Sequence, residues 1–74
     1  MREILKRERI KKGLTQQAIA SLVGISRVHY TQIENNSKNK KPSLEVAMNI
    51  KKVLNYHDDD LFTVSDVSDR NNLY

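Results

Sequence analysis

Between Leu14 and Asn35 the chain is punctuated for two short helices and little else. Thr15 is a good N-cap, because its hydroxyl can accept from an N–H of the first helical turn. The run Gln16–Val23 then carries Ile19, Ala20 and Val23 on one side, and Gly24 follows at once, free to take the positive φ of a helix stop. Ser26 caps a second run over Arg27–Asn35. Two helices this short cannot stand alone. Each must bury its apolar side against the other across the turn at Gly24.

The flanking sequence supplies the rest of a helical domain. Ile4, Leu5 and Ile10 make a loose apolar stripe through residues 2–12, which Gly13 stops. Residues 35–42 are polar and basic, and Pro42-Ser43 announces another helix. That helix offers Leu44, Ala47, Met48, Val53 and Leu54, plus either Val46 or Ile50, for packing, and Asn55 can end it in the left-handed region. A last turn over 58–62 begins with three acids, which suit the positive end of a helix dipole. The expected architecture is all-α: a compact five-helix bundle over residues 1–62. Residues 63–74 are then a polar tail, with at most a short edge strand at 62–64.

At 74 residues and without cysteine, the chain must hold itself together by packed helices alone, with neither disulfide nor thiolate metal site. Its apolar runs fall far short of the ~20 residues that cross a bilayer. The first residues lack the apolar stretch of a secretion leader, so a cytoplasmic location is expected. The net charge of +4 is unevenly spread: residues 1–42 sum to +7 and residues 43–74 to −3. Ordinary solubility would account for scattered charge, but a basic half suggests a polyanion partner on one side of the molecule.

The helix over 27–35 shows what could meet such a partner. At about 100° per residue Tyr30 and Ile33 face inward together, while Val28, Thr31, Gln32 and Asn35 gather on the opposite side and Arg27 stands in the first turn. Any surface helix exposes some Gln, Thr and Asn. Here, however, a preceding helix and tight turn can present the second helix to a DNA major groove, where Gln pairs with adenine, Arg with guanine, and Val or Thr methyl groups pack on thymine. Arg27, Val28, Thr31 and Gln32 are the base-reading candidates.

Taken together, residues 5–62 resemble the phage repressor and Cro-like helix-turn-helix family, the lambda-repressor-like DNA-binding domains. The resemblance rests on Arg9 before Gly13, on Leu14-Thr15-Gln16-Gln17 with Ile19-Ala20, and on Val23-Gly24-Ile25-Ser26. It continues through Ile33-Glu34-Asn35, Pro42-Ser43-Leu44 and Leu61-Phe62. It implies a lambda-repressor-like bundle with base contacts from Arg27, Val28 and Gln32, and a phosphate held by Gln16 and the residues near Thr15. It also implies a buried ion pair between Arg9 and Glu34. Three departures stand out. Tyr30 replaces the usual aliphatic residue, Asn36 replaces the usual glycine after the reading helix, and the loop before Pro42 is about two residues longer and richer in lysine.

Lys38, Lys40 and Lys41 follow the reading helix where the chain would leave the groove, so with Thr15, Gln16 and Asn36 they form the expected phosphate-positioning set. The sequence suggests no enzyme, metal, cofactor or small-molecule substrate: His57-Asp58-Asp59-Asp60 points its side chains in different directions, and His29 has neither nucleophile nor acid nearby in sequence. The expected function is sequence-specific binding of double-stranded DNA by a repressor of phage or mobile-element type. One subunit reads too few base pairs to be specific, so a homodimer on a palindromic operator is expected, joined through Leu54, Tyr56, Leu61, Phe62 and Val64 with a contribution from the tail. The competing expectation is a protein-interaction module, antitoxin-like, that uses the same fold to grip another protein.

Overall fold

A computed structural model describes residues 1–64 of the chain. Four α-helices build it: α1 (Glu3–Lys11), α2 (Gln16–Val23), α3 (Arg27–Asn35) and α4 (Leu44–Leu54). Two short 3-10 turns, Ser37–Asn39 and Asp59–Phe62, complete it, and no strand occurs among the described residues. The expected fifth helix is therefore a four-residue 3-10 turn, and residues 62–64 form no edge strand. Residues 65–74 of the expected tail lie outside the described part.

The helix ends fall where the capping residues stand. The side chains of Thr15, Ser26 and Ser43 accept from the backbone N–H groups of Ala18 (3.0 Å), His29 (3.0 Å) and Val46 (3.2 Å) respectively. Gly24, at φ 91°, ends α2, and its N–H and that of Ile25 both donate to the Ala20 carbonyl at 2.9 and 3.0 Å. Asn36 (φ 56°) and Asn55 (φ 53°) take the same left-handed role after α3 and α4, which asparagine tolerates better than most side chains.

The core consists of Leu5, Ile19, Ala20, Val23, Tyr30, Ile33, Ile50, Leu54 and Leu61. Ala20 is fully buried, consistent with the small side chain needed where α2 and α3 pack closely. Two sequence expectations need correction. Ile10 is 55% exposed, so α1 buries Leu5 without it. In α4 the inward stripe is Ile50 and Leu54 with Val46 and Val53 packed beside them, whereas Leu44 and Met48 are exposed at 77% and 50%. Those two lie roughly 120–160° around the helix from the buried stripe, too far to share its face.

Candidate nucleic-acid interface

The short break between Val23 and Arg27 sets α3 against α2, and α3 turns one side fully inward. Tyr30 and Ile33 are wholly buried and Glu34 is 1% exposed. On the other side Arg27, Val28 and Asn35 are exposed, with Thr31 and Gln32 half-buried. The outward set therefore remains accessible while its inner neighbours anchor the helix.

That anchor is a polar network centred on the Glu34 carboxylate. Arg9 donates to it through Nε at 2.8 Å and Nη2 at 3.2 Å, Tyr30 through its hydroxyl at 2.8 Å, and Gln16 through Nε2 at 3.2 Å. Arg9 also donates to the Leu14 carbonyl at 2.6 Å, so one guanidinium ties α1, the start of α2 and α3 together. Burial by itself would raise the Glu34 pKa, but the hydrogen bonds from Arg9 and Tyr30, with the Arg9 charge, hold it below its ordinary value. The Arg9 pKa is raised by its hydrogen bond to Glu34, while that of Tyr30 is raised by burial and then by its own hydrogen bond to Glu34. The departure at Tyr30 thus has a structural reason: its hydroxyl satisfies a fourth position around a buried carboxylate.

Gln16 and Thr31 are joined as well. The Thr31 hydroxyl donates to Gln16 Oε1 at 3.3 Å, which brings the N-terminus of α2 against the outer flank of α3. Gln16 is thus shared between the anchor and the outward face. Thr15 is exposed and spends its hydroxyl on its cap. The first N–H groups of α2 have no intrahelical acceptor and lie at the positive end of its dipole.

Asn36 leads from α3 into the lysine loop. Lys38 (φ 53°) and Asn39 (φ 58°) also adopt left-handed backbone, and Lys38, Lys40 and Lys41 are all exposed. Among the described residues none of these lysines, nor Arg27, has an acidic partner within salt-bridge distance. The cations of Lys11 and Lys51, by contrast, stand beside Glu8 and Asp59. The basic charge near the end of α3 is therefore not neutralised locally.

The expected partner surface fares differently. Leu54 and Leu61 are core residues, 1% and 0% exposed, and cannot meet a second subunit directly. Tyr56 and Phe62 are half-buried and Val64 is 39% exposed. The Tyr56 hydroxyl donates to Asp60 at 2.6 Å, which pushes its pKa up to about 12. Beside it, a recess of about 250 Å³ is lined by Met48, Lys51, Lys52, Tyr56 and His57. Among the described residues no helix is long and apolar enough to cross a membrane, and no group of three or more acidic, His or Cys side chains could hold a metal.

Sequence reasoning missed Arg2. It is 3% exposed and pairs with no carboxylate among the described residues, yet its side chain donates to the carbonyls of Ile33, Lys40 (2.9 Å) and Phe62 (3.0 Å). Burial lowers its pKa. Its partners are all backbone oxygens, so no residue type in the sequence marks them.

Comparison with known proteins agrees with this geometry. A family model described as Helix-turn-helix matches residues 5–61. The Bacillus subtilis (strain 168) protein named as an uncharacterized HTH-type transcriptional regulator, YqaF, is 41% identical over 56 residues, covering 76% of this chain and 71% of its own length. No solved structure gives a significant match.

Proposed function

The chain belongs to the helix-turn-helix family of Cro/C1 type, DNA-binding transcription regulators, and on that premise we propose that it is a dimeric, sequence-specific repressor of phage or mobile-element type. In this reading α3 enters the major groove, Arg27, Val28, Thr31 and Gln32 read base edges, and Thr15, Gln16, Asn36, Lys38, Lys40 and Lys41 hold phosphates. Residues 1–62 form the DNA-binding domain, and the protein works in the cytoplasm. The observation that carries the reading is the pairing of an outward α3 face with a loop of three exposed lysines that no acid neutralises. Thr31 is held to Gln16, so its hydroxyl proton is engaged and it offers a base only its lone pairs and methyl group.

The dimer is proposed as a two-fold assembly whose reading helices lie about 34 Å apart on a palindromic site. Tyr56, Phe62 and Val64 contribute from the expected surface. Leu44 and Met48, exposed on the outer side of α4, extend it in place of the buried Leu54 and Leu61. The same exposed pair is what a protein-interaction module would use, and the lysine loop is what such a module would not need.

Duplex binding followed by fluorescence anisotropy across a salt series tests the reading. With four to six phosphates neutralised per subunit, log affinity should fall by about 4–5 per log unit of salt for each subunit bound, and by about twice that for the dimer. Lys40→Ala combined with Lys41→Ala should flatten that slope by about 2 per subunit on every sequence. Failure to bind duplex DNA at low salt would support the protein-interaction module instead, and an unchanged slope would remove the phosphate assignment.

A further inference from the structure

We infer that Arg2 is a positioning residue for DNA binding: its guanidinium fixes the lysine loop against the C-terminal end of α3 and so sets where the phosphate-facing lysines stand. The inference rests on the DNA-binding reading above. The three carbonyls that Arg2 holds belong to three separate segments, namely the last turn of α3 (Ile33), the exit of the lysine loop (Lys40) and the end of the 3-10 turn (Phe62). Its backbone N–H donates to a fourth carbonyl, that of Glu34, at 2.8 Å.

The choice of residue is informative. Burying a cation without a carboxylate is unfavourable unless hydrogen bonds compensate it, and Arg2 makes three from Nε and Nη1. The planar fork of arginine can point separate N–H groups at oxygens in different directions, whereas lysine offers one compact ammonium. The carbonyls of Ile33 and Glu34 lie in the last turn of α3, at the negative end of its dipole, so a guanidinium is favoured there even though Asn36 N–H also reaches Ile33.

The loop has little else to hold it. Its own hydrogen bonds are local: Asn36 N–H to Ile33 (3.2 Å), Asn39 N–H to Asn36 (3.2 Å) and Lys40 N–H to Ser37 (2.9 Å). It buries no residue between Ser37 and Asn39, and Asn36, Lys38 and Asn39 sit in left-handed backbone that side chains disfavour. Among the described residues, the bond from Arg2 to Lys40 is the one hydrogen bond that reaches the loop from a distant part of the chain.

Arg2→Lys separates position from charge, because it keeps the cation and removes the fork. Two measurements are made on the full chain, after circular dichroism confirms wild-type helix content. The first is the salt slope of duplex binding. Arg2→Lys should flatten it by about 1–2 per subunit, and in the background of Lys40→Ala with Lys41→Ala it should add no more than about 0.9, the share of Lys38. The second is the backbone order parameter from NMR relaxation. Residues 38–41 should fall from about 0.85 to below about 0.6 while α2 stays unchanged, a selective loosening that a general loss of stability would not produce.

A wild-type slope in Arg2→Lys, or loop order parameters that match the wild type, would overturn the inference. If Arg2→Lys lowers helix content, Arg2→Gln repeats both measurements with the same expected and overturning results. If the wild-type chain fails to bind duplex DNA, the DNA-binding reading fails, and the order parameters alone decide whether Arg2 holds the loop.

Discussion

Replacing Arg9 by methionine keeps the aliphatic stem and removes two of the four hydrogen bonds around Glu34, together with the bond to the Leu14 carbonyl. The Arg9 and Glu34 side chains are 10% and 1% exposed, so water cannot replace what is lost. Breaking a buried pair from one side costs about 3–5 kcal/mol, against under about 1 kcal/mol for an exposed pair. A domain of this size has a total stability of only about 3–10 kcal/mol. Arg9→Met should therefore remove a large share of that stability, from about a third upward, and Glu34→Gln should weaken it by a similar amount. The double substitution Arg9→Met with Glu34→Met removes both charges and leaves mainly the Tyr30 hydroxyl and the Gln16 amide without their acceptor, at about 1–3 kcal/mol for the buried hydroxyl. Its loss should fall well short of the sum of the single losses. Urea unfolding at pH 7, followed by circular dichroism, measures all of these. Single losses under about 1 kcal/mol, or a double loss equal to their sum, would refute the reasoning. The sign of the pH dependence is also fixed. Glu34 has a lowered pKa in the folded state, so its contribution is present above its unfolded value of about 4.5 and is lost as pH falls through the folded value. Glu34→Gln should lack that acid-side slope.

Tyr30→Phe should cost about 1.5–3 kcal/mol in the same unfolding assay, because it removes one donor from a buried carboxylate without changing shape. The Tyr30 pKa is raised in the folded state, so wild-type stability should fall as pH rises above about 10 more steeply than that of Tyr30→Phe. Lys38→Gly should stabilise the fold by about 1 kcal/mol by relieving the left-handed backbone at φ 53°, raising Tm by about 4–8 °C. The same change should flatten the salt slope of DNA binding by about 0.9, so stability and affinity should move in opposite directions. Leu54→Ala should lose about 2–5 kcal/mol in urea unfolding, whereas Met48→Ala on the outer side of the same helix should change stability by less than about 0.5 kcal/mol.

What was legible in the sequence was local. Thr15, Ser26 and Ser43 cap because a hydroxyl three residues before an N–H needs no tertiary help, and Gly24, Asn36 and Asn55 stop helices through their own backbone freedom. The inner sides of α2 and α3 were legible because each carries one apolar stripe. Helix α4 was not, since Leu44 and Met48 compete with Val46, Ile50, Val53 and Leu54, and only packing against the rest of the fold selects between them. Leu54 and Leu61 looked available to a partner because they stand near a polar, acidic stretch, yet the fold takes both into its core. Arg2 was illegible for a different reason: its partners are carbonyls from residues 31, 38 and 60 positions away, which every residue type possesses.

The reading of bases by α3 is tested most directly by selecting bound duplexes from a random pool, with the wild-type chain and with Gln32→Ala side by side. The wild type should enrich two inverted half-sites centred about one helical turn apart. Gln32→Ala should enrich the same arrangement with the preference lost at one position of each half-site, at about 1–3 kcal/mol of discrimination. An unenriched pool from the wild type, or a Gln32→Ala motif identical to it with affinity lowered on every sequence alike, would contradict base reading from this helix.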